Sequence, residues 1–453
     1  MQSLKNIKKA WFVGIGGIGM SALARYFMYQ GIKVGGYDRT KSNITLALAN
    51  EGAFITYDDA LSAMWADADL LVYTPAVPLL HPQITGAKER GIAIRKRAEI
   101  LGAVTREPFT IAVAGTHGKT SISTLIAHLL RSAGIRTGAF LGGISRNFNG
   151  NFLPPGENLL VVEADEYDRS FLQLHPDLTL ISAIDPDHLD VYGKLEHLEA
   201  AYSEFASLLS DRGRLIVKKG LRPTVNAGKE VLEYGLDPAA PFHASNIRVG
   251  EGAYRFDFLA PALKMEGLEL PFPGIHNVEN AVAAIAVALE MGVSVDAIRR
   301  GLPRFQGVKR RFEYRLKRKD IVFIDDYAHH PQELELLIRS VQEMYPQRRL
   351  TLVFQPHLYS RTRDLAEQFA STLSHVDELL LLPVYPAREK PIPGVSSALI
   401  AAKLPAGKVQ LVEKSDLIDT LMRRKPELLI TAGAGDIDRE LQGIEEALKN
   451  RML

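Results

Sequence analysis

The sequence predicts an α/β protein of three domains: a Rossmann-like N-terminal domain, a central α/β domain of the P-loop ATPase type, and a Rossmann-like C-terminal domain. Three observations lead there. A chain of 453 residues is too long for one hydrophobic core and points to roughly two to four domains. Short apolar runs alternate with helical stretches along its length, the pattern of parallel strands joined by crossover helices. Two of those runs enter glycine-rich turns, Gly14-Ile15-Gly16-Gly17-Ile18-Gly19 and Gly115-Thr116-His117-Gly118-Lys119-Thr120.

The elements follow in order. An apolar strand begins at Ala10, and after the first glycine turn come a helix over 20–30, a strand ending at Asp38 and further alternations through 70–73. The polar stretch Thr105-Arg106-Glu107-Pro108 precedes a new strand at 109–114, so the first domain is placed at 1–105. The central domain, 106–310, has buried-type strands at 159–162 and 178–184. Its segment 231–270 alternates apolar and polar residues and predicts antiparallel strands, followed by a helix beginning near Asn280. The basic run Lys309, Arg310, Arg311, Arg315, Lys317, Arg318 and Lys319 marks the second boundary. The last domain, 311–453, repeats the alternation with strands at 321–324, 350–354, 378–382 and 428–431.

Composition excludes several classes. Hydrophobic residues make up 46%, charged residues 24%, and the formal net charge is +1, so there is no bulk attraction to nucleic acid or acidic membranes and any anion site must be local. The absence of cysteine removes disulfides, zinc-thiolate sites and cysteine nucleophiles, and agrees with a cytoplasmic location. Lys5, Lys8 and Lys9 before an apolar stretch imitate a signal peptide, but Gly14, Gly16, Gly17 and Gly19 break that stretch. No apolar run is long enough to span a bilayer.

The second glycine turn carries the strongest chemistry. A strand running into Gly-Thr-His-Gly-Lys-Thr and then a helix lets backbone N–H groups at a positive helix end surround phosphate oxygens. In that reading Lys119 reaches the β/γ-phosphates of ATP and Thr120 ligates Mg2+. The loop is a variant, with Val113 where the usual pattern has glycine. Glu163, Asp165, Glu166 and Asp168 follow the strand at 159–162, where ligands of open α/β sheets collect. Glu163 is the expected magnesium ligand, and most of the other acids read as solvated loop. Asp185, Asp187, His188 and Asp190 follow the next strand. His188 could ligate a second metal, or equally cap a helix or pack in a core, because magnesium prefers oxygen.

Gly14, Gly16 and Gly19 fit G-x-G-x-x-G, with Asp38 about twenty residues on as a ribose-binding acid. Alone this reads as a dehydrogenase. Beside a triphosphate loop, a nucleotide-bearing substrate on the first domain accounts for both turns. Two further clusters, Asp325-Asp326-Tyr327-Ala328-His329-His330-Pro331 and Gln355-Pro356-His357-Leu358-Tyr359-Ser360-Arg361-Thr362-Arg363, follow C-terminal strands. Arginine suits a substrate carboxylate and histidine suits proton transfer from an amine, against the plainer alternative of solvation or loop packing.

With these residues in view the chain resembles the Mur ligases over nearly its whole length, and most the branch that joins L-alanine to UDP-N-acetylmuramate. The similarity lies in 12–21, 114–121, 163–168, Asp187-His188-Leu189-Asp190 and Gly274-Ile275-His276-Asn277-Val278-Glu279-Asn280. It implies that Gly16, Gly17, Ile18, Gly19, Met20 and Asp38 hold the UDP substrate, and that Gly115, Thr116, His117, Gly118, Lys119, Thr120 and Ser121 hold ATP. Asn277 and Asn280 contact adenine, and Thr120, Glu163 and His188 bind Mg2+. Tyr327, His329 and Arg361 form the L-alanine pocket, and Arg310 and Arg311 join Lys119, His188 and His329 in catalysis, leaving Arg315 to Lys319 as solvated linker. Two departures are Ala183, where many relatives have asparagine, and Leu358, where many have arginine. The implied reaction passes through an acyl phosphate, with closure of the C-terminal domain over the site. A recycling ligase that attaches a peptide, a folate polyglutamate ligase, a dehydrogenase and a non-catalytic ATP-binding module are the alternatives. A monomer or weak homodimer is expected.

Overall fold

The computed structural model describes residues 6–450 other than 157, 186–188, 251, 388 and 406. It is α/β throughout, with three sheets and two compact units. The first unit comprises residues 1–246, 256–268 and 279–305; the second comprises 247–255, 269–278 and 306–453.

The first sheet contains β1 (Lys9–Val13), β2 (Lys33–Tyr37), β3 (Phe54–Thr56), β4 (Leu70–Tyr73) and β5 (Ala93–Lys96), with helices α1 (Ile18–Tyr29), α2 (Asn43–Asn50), α3 (Pro82–Glu89) and α4 (Arg97–Val104) between strands. Its order, β3-β2-β1-β4-β5, with every pair parallel, is that of a dinucleotide-type half fold. Ala10, Trp11, Phe12 and Val13 have no exposed surface, as expected of a central parallel strand covered on both faces. The strand order runs outward from β1 to β2 and β3 and then resumes on the other side with β4 and β5, so the crevice opens where the glycine turn leaves β1.

The central sheet is built from β6 (Phe109–Ala114), β7 (Gly138–Ser145), β8 (Gly150–Leu153), β9 (Leu159–Glu163), β10 (Leu178–Ile181), β11 (Arg214–Lys218), β12 (Glu230–Gly235), β13 (Phe242–Gly250), β14 (Ala253–Ala260) and β15 (Leu263–Leu270), in the order β15-β14-β13-β12-β11-β10-β6-β9-β7-β8. Helices α5 (Lys119–Ser132), α6 (Leu189–Tyr192), α7 (Leu195–Ser207), α8 (Ile275–Glu290) and α9 (Val295–Gly301) accompany it. Because β6 lies parallel between β9 and β10, the loops after all three strands emerge together.

Two sequence expectations need correction here. Residues 231–270 are not uniformly antiparallel: β12 pairs parallel with both β11 and β13. Alternation reports one solvated face, not strand direction. Antiparallel pairing enters at β14 and β15, which are joined by two residues and so cannot run parallel. The strand expected at 178–184 stops at Ile181, because Ser182 turns in to the phosphate loop.

The N-terminal and central layers share one core. Phe12, Leu23 and Phe27 belong to the same buried cluster as Phe140, Leu160, Phe171 and Phe205. Tyr26 lies 5.7 Å from the Phe140 ring and 6.3 Å from the Phe152 ring. Asn151, with no exposed surface, donates to Ile18 O at 2.6 Å and Ser21 Oγ at 3.0 Å. An amide so buried needs these partners, since leaving it unsatisfied costs about 1–3 kcal/mol.

In the second unit, β16 (Glu313–Lys317), β17 (Val322–Asp326), β18 (Leu350–Phe354), β19 (Glu378–Leu381), β20 (Val409–Leu411) and β21 (Leu428–Ala432) form a sheet of order β16-β17-β21-β18-β19-β20. Helix α10 (Pro331–Met344) starts with proline at its first position and a capping box between His330 and Glu333. It buries Leu334, Leu337, Ile338, Val341 and Met344, an apolar stripe at helical spacing. The remaining helices are α11 (Tyr359–Asp364), α12 (Ala366–Leu373), α13 (Ala398–Ala401), α14 (Lys414–Arg424) and α15 (Leu441–Asn450).

The basic run is not a solvated linker. Residues 313–317 form β16, antiparallel to β17. Arg315 pairs with Glu313 at 3.0 Å and Glu445 at 2.6 Å, Lys317 lies over the Tyr314 ring, and Arg318 meets Asp320 at 2.7 Å. Long basic side chains cover the sheet edge with their stems while their charges find acids.

Candidate active site

The phosphate loop begins where β6 ends at Ala114. Gly115 has φ 135°, and a Cβ there would fall 2.1 Å from Ser182 Oγ. Gly118 takes the left-handed conformation (φ 83°) as the residue before α5, and a Cβ on it would crowd Asn280 Oδ1 at 2.7 Å. Glycine at both places follows from backbone sign and from close approach. Ser182 Oγ donates to Ala114 O at 3.2 Å and to His117 O, while Thr116 N donates to Ala183 O at 3.0 Å. Residue 183 thus holds the loop through its carbonyl, a contact that alanine makes as well as asparagine. His117 is exposed, 3.6 Å from Asp185. Ser121 is half-buried in the first turn of α5.

Two residues the sequence proposed for ATP and metal are adjacent. Thr120 Oγ1 donates to Glu163 Oε1 at 3.1 Å, and Gly142 N donates to Glu163 Oε2 at 2.9 Å. A carboxylate and a hydroxyl side by side suit magnesium, a hard cation bound by few protein oxygens, phosphate and water. His188 and Asp187 lie outside the described residues. Among the described residues no cluster of three or more His, Cys, Asp or Glu is placed to hold a metal. Asn280 is beside Gly118. Asn277, one helical turn earlier in α8, donates to Pro273 O at 2.6 Å.

The acids after β9 differ from the solvated loop expected of them. Glu166 has no exposed surface and pairs with Lys119 at 2.8 Å. Asp165 pairs with Arg97 at 2.9 Å and Asp168 with Lys96 at 3.0 Å. Both basic residues sit at the start of α4, beside the first glycine turn: Arg97 Nη1 is 2.4 Å from where a Gly19 Cβ would be. The sequence reading missed Glu166, Arg97 and Lys96 because their partners are 47 to 72 residues away, and no local pattern marks such pairs.

At the first glycine turn, Gly16 N donates to Asp38 Oδ2 at 2.8 Å and Thr40 N to Asp38 Oδ1 at 3.0 Å. Asp38 therefore braces the turn with one oxygen and its own loop with the other. Gly17 precedes α1 with no side-chain cap and no acid in the first turn, which leaves a positive helix end open to an anion. Ile18 contributes its carbonyl to Asn151. Met20 is 1% exposed and packs in the core.

In the second unit the parallel strands β17, β21 and β18 are neighbours, which gathers the two C-terminal clusters. His329 lies 5.2 Å from Tyr327 and 5.8 Å from His357, ring to ring, and His357 Nδ1 is 3.5 Å from Arg361 Nη1. Burial pulls the His329 pKa down against the opposing pull of Glu333, favouring the neutral ring. Its Nδ1 is 2.9 Å from Tyr327 O. A carbonyl only accepts, so Nδ1 carries the hydrogen and Nε2 is left as a proton acceptor. His357, part of the second C-terminal cluster but absent from the pocket the resemblance implies, links this group. Leu358 has φ 70°, a conformation rarely adopted by a branched side chain.

The two arginines of the Lys309-Arg310-Arg311 run part company. Arg310 reaches Asp325 Oδ2 at 3.2 Å and the carbonyls of Gly433 and Gly435, and lies over the Tyr327 ring at 5.3 Å. Arg311 is exposed. Arg310 is thereby committed to bracing the cluster, while Arg311 remains open to an anion.

Burial pushes the Asp325 carboxyl up to about 7 despite the Arg310 guanidinium, and Asp326 to about 6. A raised acid pKa means the folded state holds the proton more tightly, so the stabilising contribution is complete below about pH 4 and fades as pH rises through 6 to 7. Thermal melts should show the wild type losing stability between about pH 4 and 7, and Asp325→Asn losing less over that range. Equal slopes would count against the assignment.

Three family matches cover most of the chain: "Mur ligase family, catalytic domain" at residues 9–108, "Mur ligase middle domain" at 113–288 and "Mur ligase, glutamate ligase domain" at 310–435. The chain belongs to the Mur ligase family. It is 45% identical over 99% of its length, and 99% of the relative's, to the UDP-N-acetylmuramate–L-alanine ligase of Christiangramia forsetii. Among solved structures, the UDP-N-acetylmuramate-alanine ligase of Thermotoga maritima matches with TM-score 0.85 and 26% identity, over 97% of this chain and 99% of that one. The murein peptide ligase of Psychrobacter arcticus matches with TM-score 0.69 and 22% identity, over 98% and 100% of the two chains, a likeness of fold alone.

Proposed function

We propose that this chain is the ATP-dependent ligase that joins L-alanine to UDP-N-acetylmuramate, giving UDP-N-acetylmuramoyl-L-alanine, ADP and phosphate in peptidoglycan precursor synthesis. Relatives at 45% identity over almost the whole chain carry that name. The observation that carries the reading is Thr120 on Glu163 and Lys119 on the Gly115 carbonyl of one loop, in the same compact unit as the first glycine turn at an open helix end.

In this reading the glycine turn at residues 14–19 holds the UDP diphosphate, and the loop at residues 115–121 holds ATP, with Asn280 and Asn277 at the adenine. The muramate carboxylate attacks the γ-phosphorus, ADP leaves, and an acyl phosphate forms. Lys119 offsets the charge that develops on the transferred group. Thr120 and Glu163 would hold magnesium, which would supply further positive charge to the phosphates. The L-alanine carboxylate is bound by Arg361, the amine attacks the acyl carbon, His329 Nε2 takes its proton, and phosphate departs. Arg311 meets the phosphate, and Arg310 holds the Tyr327 loop in place. We further propose a cytoplasmic protein acting as a monomer or weak homodimer. Among the described residues no helix is long and apolar enough to cross a membrane.

Phosphate release measured with L-alanine, glycine, L-serine and a tripeptide in parallel tests the reading. Release should require both UDP-N-acetylmuramate and an amino acid, with L-alanine ahead of glycine by about tenfold, the usual effect of one methyl group. Preference for the tripeptide would assign the chain to peptide recycling, and turnover of NADH would overturn the ligase reading.

A further inference from the structure

Lys119 does not project freely from the phosphate loop. Its ammonium donates to Gly115 O at 2.7 Å and to Glu166 Oε1 at 2.8 Å. The Glu166 side chain is fully buried, and that of Lys119 is 15% exposed. The chain adopts an unfavourable backbone next to this pair: Asp168 and Arg169 are both left-handed, with φ 53° and 54°, a conformation that residues with side chains avoid. The bend is fixed by two donors to the Glu166 carbonyl, Arg169 N at 3.0 Å and the Tyr192 hydroxyl at 2.6 Å. Glu163 is occupied with Thr120 and Gly142, so the two glutamates divide the loop, one at the hydroxyl and one at the ammonium.

We infer that Glu166 is a positioning residue for phosphoryl transfer: it holds the Lys119 ammonium at the loop, and the lysine stays bonded to it while its remaining N–H meets the nucleotide. An ammonium has three donors and two are used here. Pulling it away would take the ammonium from a fully buried carboxylate, an unfavourable step. Keeping it in place gives a preorganised donor and avoids freezing a flexible side chain when ATP arrives. The inference rests on assigning the loop to ATP.

The test compares Glu166→Gln, Glu166→Ala and Lys119→Met, alone and combined, by kcat/KM for ATP and by ADP affinity. Glu166→Ala should lower kcat/KM for ATP by about 100-fold and Glu166→Gln by about 10-fold, since the amide oxygen still accepts, with the KM for UDP-N-acetylmuramate changed by less than about twofold. ADP affinity of Lys119→Met/Glu166→Gln should equal that of Lys119→Met, because the glutamate acts only through the lysine. This neutral pair also serves if Glu166→Ala fails to fold. Additive losses of ADP affinity, or single variants indistinguishable from wild type, overturn the inference. A wild-type chain that binds no ADP overturns the ATP assignment instead.

Discussion

Lys119→Ala should abolish ATP-dependent phosphate release, with kcat falling by at least about 1000-fold, and leave UDP-N-acetylmuramate affinity nearly intact. On the proposed role, the loss of rate follows from removing the cation that would face the transferring group. The substrate site is spared because the first glycine turn is braced separately, by Asp38 on Gly16 and by Asn151 on Ile18. The same change removes the Lys119 ammonium from Glu166, which is fully buried, and breaking one side of a buried pair costs about 3–5 kcal/mol. Binding is therefore best measured calorimetrically below the lowered melting temperature. Simultaneous loss of both activities in a folded variant would show that the two sites are not divided as proposed.

The second large effect is expected at Glu163. Glu163→Gln should reduce kcat by about 100- to 1000-fold and raise the magnesium concentration needed for half-maximal rate, with partial recovery at high magnesium. Stability should change little. The amide oxygen can accept from Gly142 N, and the Thr120 hydroxyl, which both donates and accepts, can reverse to meet the amide N–H. A magnesium titration of the two proteins decides it, and an unchanged requirement would remove Glu163 from the metal site.

Much of this was legible in the sequence because the signals are local. A strand running into glycines and then a helix is written within about a dozen residues. Acids and histidines after apolar runs mark strand carboxyl ends. What could not be read involved partners distant in sequence. The four acids at the end of β9 and after it look alike in the chain, yet one is buried on Lys119, one faces Thr120, and two bind Arg97 and Lys96. Arg310 and Arg311 are adjacent, and only packing separates a brace from an exposed cation. The basic residues after them resemble a linker until β17 and Glu445 are brought beside them.

The sequence by itself determined the fold class, the two glycine turns, the phosphate loop with Lys119 and Thr120, and the C-terminal His/Arg clusters, since each is set by residue type and spacing along a few turns of chain. Tertiary structure alone decided which acid meets which base, that Asp38 braces the glycine turn, that Met20 is core, and that His329 presents Nε2. Burial and charge pairing depend on segments that fold together from far apart, and the energy of a charge is fixed by the neighbours and the solvent it finds there.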